Sequence, residues 1–374
     1  MKNYKLEDYK MEDYFLVFFL SMFISVIRDT FIIVFYNYDF KYSPMFSFFR
    51  DIFSSKNENS TANEEYQYLD LIKNILKNGY WENGRNGKTI SIFGNSMRFS
   101  LRNNKIPILT TKKVAWKTCL KELLWFIRGD TDNKILKEQN VHIWDANGSR
   151  DFLDSRGLTK YEEDELGPIY GYQWRCFNKP YLCRKEIKLN REHWDGLDKD
   201  EKLFIQHDIN ETGGGIDQLQ EIINILKDPK QRTSRRLIMT AWNPCQLDQM
   251  ALPPCHVLCQ FNVHDGNKLS CSLYQRSCDC ALGVPFNIAS YSFLTHLIAA
   301  HCGLEAEEFV YFMGNCHIYE EHVDGMKEQI ERVPLEFPTL KIKEIRDKID
   351  DYRVEDFVIE CYKSHETIKM NMVA

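Results

Sequence analysis

Leu69, Ile72, Ile75 and Leu76 recur with the three-and-four spacing of a helix that buries one face, and Gly79 stands where such a helix would stop. The same period returns at Leu219, Ile222, Ile223 and Leu226, closed by Asp228-Pro229. Lys117 to Arg128 is apolar nearly all round, with Cys119, Leu120, Leu123, Leu124, Trp125, Phe126 and Ile127, so a buried helix ending at Gly129 is predicted. Strand character appears at Thr89 to Phe93 and Leu237 to Trp242, and again at His256 to His264 and Lys268 to Arg276. The turn signal Asp265-Gly266-Asn267 between the last two runs predicts an antiparallel pair.

Residues 1–63 follow none of these patterns. Tyr14 to Ile27 is strongly apolar, Arg28-Asp29 interrupts it, and Thr30 to Tyr36 resumes it. A membrane span needs roughly 20 uninterrupted apolar residues. The acidic Glu7, Asp8, Glu12 and Asp13 ahead of the run oppose a cleaved signal peptide. A packed accessory segment is the favoured reading and membrane attachment the alternative. Ser54 to Asn63 reads as a polar linker, which sets an extension at 1–63 apart from a larger domain at 64–374. The charged stretch from Tyr181 to Gly215 reads as a solvated surface insertion.

With 374 residues and 44% hydrophobic composition the chain can bury a substantial core, as one large domain or two small ones. A net charge of -6 does not mark a nucleic-acid surface, so no DNA partner is expected and any anionic ligand must be held by local arginines. The twelve cysteines show neither zinc-finger nor redox spacing, which fits reduced thiols in the cytoplasm or nucleus and no metal site.

Three places carry candidate chemistry. Antiparallel pairing would bring Cys255 beside Arg276, and a cation next to a thiol lowers its pKa. Cys259, Cys271 and Cys302 are expected to be buried and inert. Glu122 lies inside the apolar run, either as a paired core glutamate or as a carboxyl whose pKa is raised for proton transfer; the residues leave these two readings even. Arg235 and Arg236 would face opposite ways on a regular strand, so they could grip one anion only from an irregular segment.

PPCH, YQRSCD and LGVPFNIASY, with ELLWFIRG, IWDANGSRDFLDS, LGPIYGYQWR, SRRLIMTAWNP, HIYEEH and the closing IKMNMVA, resemble the thymidylate synthases over nearly all of Glu64 to Ala374. The segment ANGSRDFLDS is more similar to the longer eukaryotic and protozoan form. The resemblance implies an α+β fold, with a large mixed sheet flanked by helices and packed back to back against its mate in a homodimer. It implies reductive methylation of dUMP to dTMP with 5,10-methylenetetrahydrofolate as co-substrate, release of dihydrofolate, and no metal. Cys255 would add to uracil C6, Glu122 would serve in catalysis, and Tyr170 would help remove the C5 proton.

By the same resemblance Arg85, Arg235, Arg236, Arg276 and Ser277 would surround the phosphate, with Arg235 and Arg236 reaching into the partner subunit's site. Asn287 would read O4 and N3-H of uracil, although a flipped amide would suit cytosine. His317 and Tyr319 would bind the ribose hydroxyl. Asp279 would meet the ligands at the folate ring, Ile143, Trp144, Leu252, Gly283, Phe286 and Ala374 would shape the folate pocket, and Lys112 would meet the glutamyl tail. Four departures stand out: Asn315 where many relatives have Asp, Ala115 where a ring commonly packs, the order Val373-Ala374 at the terminus, and an Arg85 loop one residue shorter. The alternatives are a pyrimidine deoxynucleotide hydroxymethylase, in which water takes the place of hydride, and a non-catalytic binding protein on the same fold.

Overall fold

The computed structural model describes residues 63–84, 87–189 and 214–373. The apolar runs of the N-terminal extension, the middle of the charged insertion, Arg85 and Ala374 lie outside the described residues. Among the described residues no helix is long and apolar enough to cross a membrane.

Helix α1 (Tyr66–Asn78) forms where the apolar spacing predicts it and buries Leu69, Ile72 and Ile75. Gly79 ends it for want of space. A Cβ there would lie 2.5 Å from the Ile75 carbonyl oxygen and 2.8 Å from Ile90 Cγ1, so only glycine lets the chain turn directly into the next strand.

Just ahead of α1, the fully buried Glu65 takes four hydrogen bonds. The amides of Thr110 and Thr111 donate at 2.8 Å each and their hydroxyls at 2.7 and 2.6 Å. An unmade bond at a buried donor costs about 1–3 kcal/mol. Glu65→Ala is therefore expected to lower unfolding stability by about 3 kcal/mol or more, read as a shift in the denaturant midpoint. A loss under about 1 kcal/mol would mean that water satisfies these donors.

Six strands form one sheet: β1 (Tyr80–Gly84), β2 (Gly87–Ser100), β3 (Ile238–Thr240), β4 (His256–His264), β5 (Lys268–Asp279) and β6 (Glu305–Tyr319), in the order β1-β2-β6-β5-β4-β3. The β4–β5 hairpin turns where the sequence signals it, with Asp265 (φ 48°) and Gly266 (φ 81°) in the left-handed region. Among the described residues only β5 and β6 run parallel, because the helix Gly283–His301 crosses between them. The strand expected over Leu237 to Trp242 shrinks to β3, while the one at Thr89 to Phe93 grows into β2.

The principal helices after α1 are α2 (Trp116–Ile127), α3 (Tyr170–Cys176), α4 (Gln218–Lys227), α5 (Gly283–His301) and α6 (Val323–Ile330). Helix α5 lies against β5, β6 and α2 and is buried nearly all round. Its Ser292 and Thr295 hydroxyls donate at 2.7 Å to the carbonyls of Ile288 and Tyr291, so their burial leaves no polar group unmet. A two-stranded antiparallel sheet, β7 (Thr339–Ile342) with β8 (Phe357–Glu360), completes this mixed α+β architecture.

Tyr170 opens α3, and Asn147 sits in the one-turn helix Asp145–Gly148. The large sheet leaves apolar rings open. Tyr274 and Phe312 are register partners across β5 and β6, 39% and 46% exposed, and Ile238 on edge strand β3 is 46% exposed.

Candidate active site

The end of β5, the N-terminus of α5, the end of β6 and the turn entering β4 converge on a cavity of about 530 Å³. Of the residues singled out in the sequence, Glu122, Ile143, Trp144, Tyr170, Leu252, Cys255, Arg276, Ser277, Asp279, Gly283, Phe286, Asn287, His317 and Tyr319 border it. Lys112 does not: it is buried, and its ammonium donates to the Ala281 carbonyl at 2.6 Å. Burial brings its pKa down to about 8 although Asp279 opposes this. Arg235 and Arg236 are exposed in the irregular turn before β3 and are not part of the wall. A larger cavity, about 770 Å³, shares no residue with the first; the carboxylates of Glu307 and Glu305 in it are already paired with Arg102 and Lys268.

Cys255 sits at the mouth of the β4–β5 hairpin. Its carbonyl accepts from the Arg276 amide at 2.9 Å, as antiparallel pairing requires, and its amide donates to the Tyr170 hydroxyl oxygen at 2.7 Å. The expectation that Arg276 would bring the thiol below its ordinary pKa is corrected here. Burial raises it, and the pull of Arg276 offsets this only in part. The guanidinium donates to the carbonyls of Pro254 (2.8 Å) and Pro253 (2.9 Å) and lies 5.3 Å from the Trp242 ring centroid. Arg276 therefore clamps the Pro-Pro turn that presents Cys255, and it is the one cation bordering the cavity among the described residues.

The orientation of Asn287 follows from a chain of unambiguous partners. Gln275 Nε2 donates to the Ser277 carbonyl at 2.9 Å, and a carbonyl only accepts, so the Gln275 amide cannot be flipped. Its other N–H then goes to Asn287 Oδ1 at 3.0 Å, while the Tyr311 hydroxyl donates to Gln275 Oε1 at 2.6 Å. Asn287 Nδ2 in turn faces His256 Nε2 at 2.8 Å. Burial brings His256 down to about pKa 4, so the ring is neutral and accepts at Nε2. One N–H and one lone pair of Asn287 remain, side by side, for a ligand.

Glu122, on the face of α2 that meets the cavity, takes a hydrogen bond from the Trp144 indole at 2.7 Å. Burial still outweighs that bond and pushes its pKa up to about 7. Tyr170 lies in the same wall with its pKa held well above the ordinary value, chiefly by burial, so it keeps its proton: its oxygen accepts from the Cys255 amide and its O–H can donate. A carboxyl poised near neutrality beside a fixed phenol is an arrangement for moving protons at a bound ring.

Asp279 Oδ1 accepts from the amides of Ala281 (2.9 Å) and Leu282 (3.4 Å), which fixes the entry to α5. His317 Nδ1 lies 2.9 Å from Asn315 Oδ1, so the Asn at this position serves as its partner. Burial lowers the His317 pKa, against the pull of Asp279, and leaves a neutral ring in the wall. The cavity residues that the sequence reading did not assign to the site are Phe126, Asn147, His256, Gln275, Leu282, Met372 and Val373. Gln275 had a usable signal: it shares a strand face with Ser277 two residues on.

The sequence pattern of the family described as Thymidylate synthase matches residues 66–374. A bifunctional dihydrofolate reductase-thymidylate synthase of Leishmania major is 50% identical over 311 residues, which cover 83% of this chain and 55% of that protein. A probable thymidylate synthase of Schizosaccharomyces pombe is 48% identical over 320 residues, 83% of this chain and 47% of that one. A bifunctional dihydrofolate reductase-thymidylate synthase of Paramecium tetraurelia is 46% identical over 341 residues, 90% and 66% respectively. The chain thus matches about half the length of the first two. None of these names supports the hydroxymethylase alternative.

Proposed function

The chain belongs to the thymidylate synthase family, and from that premise we propose that it converts dUMP to dTMP with 5,10-methylenetetrahydrofolate, releasing dihydrofolate. The observation that carries this reading is the fixed orientation of Asn287 across a single cavity from Cys255. Its free N–H matches uracil O4 and its free lone pair matches N3-H, whereas cytosine would present the reverse pattern.

With uracil held there, the Cys255 sulfur adds to C6 and the ring's charge moves onto O4. Glu122, protonated about half the time near neutrality, supplies a proton toward that oxygen. C5 thereby becomes the nucleophile; Tyr170, which keeps its own proton, orients the transfer of the C5 proton to water, and the Cys255–C6 bond breaks when hydride reaches the one-carbon unit, returning the thiolate. The folate supplies the one-carbon unit and the hydride. Ile143, Trp144, Leu252 and Phe286 give its ring apolar surface, and Asp279 gives an acceptor.

The test is to mix protein, dUMP and methylenetetrahydrofolate, follow dihydrofolate by absorbance and identify dTMP by mass. Equal amounts of both support the reading; a hydroxymethyl product without dihydrofolate rejects it. Gln275→Leu is expected to lower kcat/KM for dUMP by about tenfold and to weaken discrimination against dCMP, since one anchor of the Asn287 amide is lost. Competition by dCMP measures this; unchanged discrimination would mean that His256 alone holds the amide.

A homodimer is part of the proposal. The apolar rings on the open sheet face and the displacement of Arg235 and Arg236 from their own chain's cavity support it. One arginine is a poor match for a phosphate dianion, and a partner's pair would complete it. Mixing inactive Cys255→Ala protein with inactive Arg235→Ala/Arg236→Ala protein is therefore expected to restore about a quarter of native activity after subunit exchange. No recovery would mean that the sites are not shared. A cytoplasmic setting belongs to the same proposal.

A further inference from the structure

The last described residues run along the domain through a series of fixed points. The His365 amide donates to the Thr110 carbonyl at 2.8 Å. Ile368 and Met370 fill the space that Gly325 leaves on α6, where a Cβ would lie 3.0 Å from Ile368 Cγ2 and 2.8 Å from Met370 Cε. His322, only 1% exposed, then directs Nε2 at the Asn371 carbonyl oxygen, 2.7 Å away. Immediately beyond, Met372 and Val373 border the cavity that holds Cys255.

A carbonyl only accepts, so His322 carries a proton on Nε2; its Nδ1 is buried without a partner among the described residues. The His322 ring meets Tyr319 edge-on at 5.8 Å, and Tyr319 meets His317 at 5.4 Å. Three rings thus connect the wall assigned to the nucleotide with the backbone of the tail. Chain ends fray unless tied down, and this bond is the fixed point next to the residues that reach the cavity.

We propose that His322 is a positioning residue for the folate half of the site: its bond to Asn371 holds Met372 and Val373 in the cavity wall, and the ring stack ties that hold to His317 and Tyr319. The role assigned to the pocket rests on the synthase reading above; the hold on the tail does not. His322→Leu keeps the bulk and removes the donor, whereas His322→Gln keeps an N–H at similar reach. His322→Leu is expected to raise KM for methylenetetrahydrofolate about tenfold while dUMP binding, measured by calorimetry, changes less than about twofold. His322→Gln should recover most of the loss.

Deleting residues 372–374 should add little to His322→Leu, since both act through one contact. Carboxypeptidase release of the last residues should also be faster in His322→Leu than in native protein, a readout independent of turnover. Unchanged release, or a deletion whose full effect adds to that of His322→Leu, would overturn the proposal. Inactivity of the native protein with faster release in the variant would overturn the synthase reading and leave the latch standing.

Discussion

Cys255→Ala is expected to lower kcat by about ten-thousand-fold or more while dUMP binds within about threefold of the native affinity. No other cysteine borders the cavity among the described residues, so no thiol is in place to substitute. Binding should survive because Asn287 is held by Gln275 and His256, and Arg276 by the Pro253 and Pro254 carbonyls; none of these bonds uses the sulfur. Calorimetry for dUMP and dihydrofolate absorbance for turnover separate the two quantities. A variant that still turns over would remove Cys255 as nucleophile. Because burial holds the thiol above its ordinary pKa, the native rate should depend on how well bound substrate draws out the thiolate.

The second large effect is at Glu122, where activity and stability should move in opposite directions. Glu122→Gln is expected to lower kcat by about a hundredfold to ten-thousand-fold, and to abolish the fall in rate as pH rises through about 7, where the donor loses its proton. The folded protein holds this proton up to about pH 7, whereas the free carboxyl releases it near 4.5. Between these values the folded state binds the extra proton, so stability from this group is lost as pH rises. Gln cannot ionise. The variant's Tm should therefore exceed the native Tm most clearly above pH 7 and converge with it below about pH 4.5. Equal Tm values at pH 8 would show that the carboxylate is well solvated after all.

Much of this was legible from residue order, where short-range rules decide. The Asp265-Gly266-Asn267 turn fixes the hairpin register from His264–Lys268 to Leu258–Tyr274, and a one-residue shift between His256 and Leu258 then sets Cys255 against Arg276. Glu122 announces itself as one carboxylate in an apolar helix. Gln275 and His256 were not legible, because their role exists only once α5 carries Asn287 to the end of β5. The thiol's pKa was misjudged for a related reason: adjacency revealed the cation but not the burial that outweighs its pull. Lys112 is tied to the glutamyl tail by resemblance alone, and the fold instead turns its ammonium inward to the Ala281 carbonyl.

The sheet order carries a consequence for synthesis on the ribosome. Strand β2 has β1 as an early neighbour, but its other edge waits for β6, more than two hundred residues later in the chain. At translation rates of about 5–20 residues per second, that edge stays unpaired for roughly 10–40 s. Cys255 emerges in that interval, before the strand that supplies His317 exists. The nascent chain should therefore bind no nucleotide until β6 has emerged, and its open strand edge is where chaperones would be needed most.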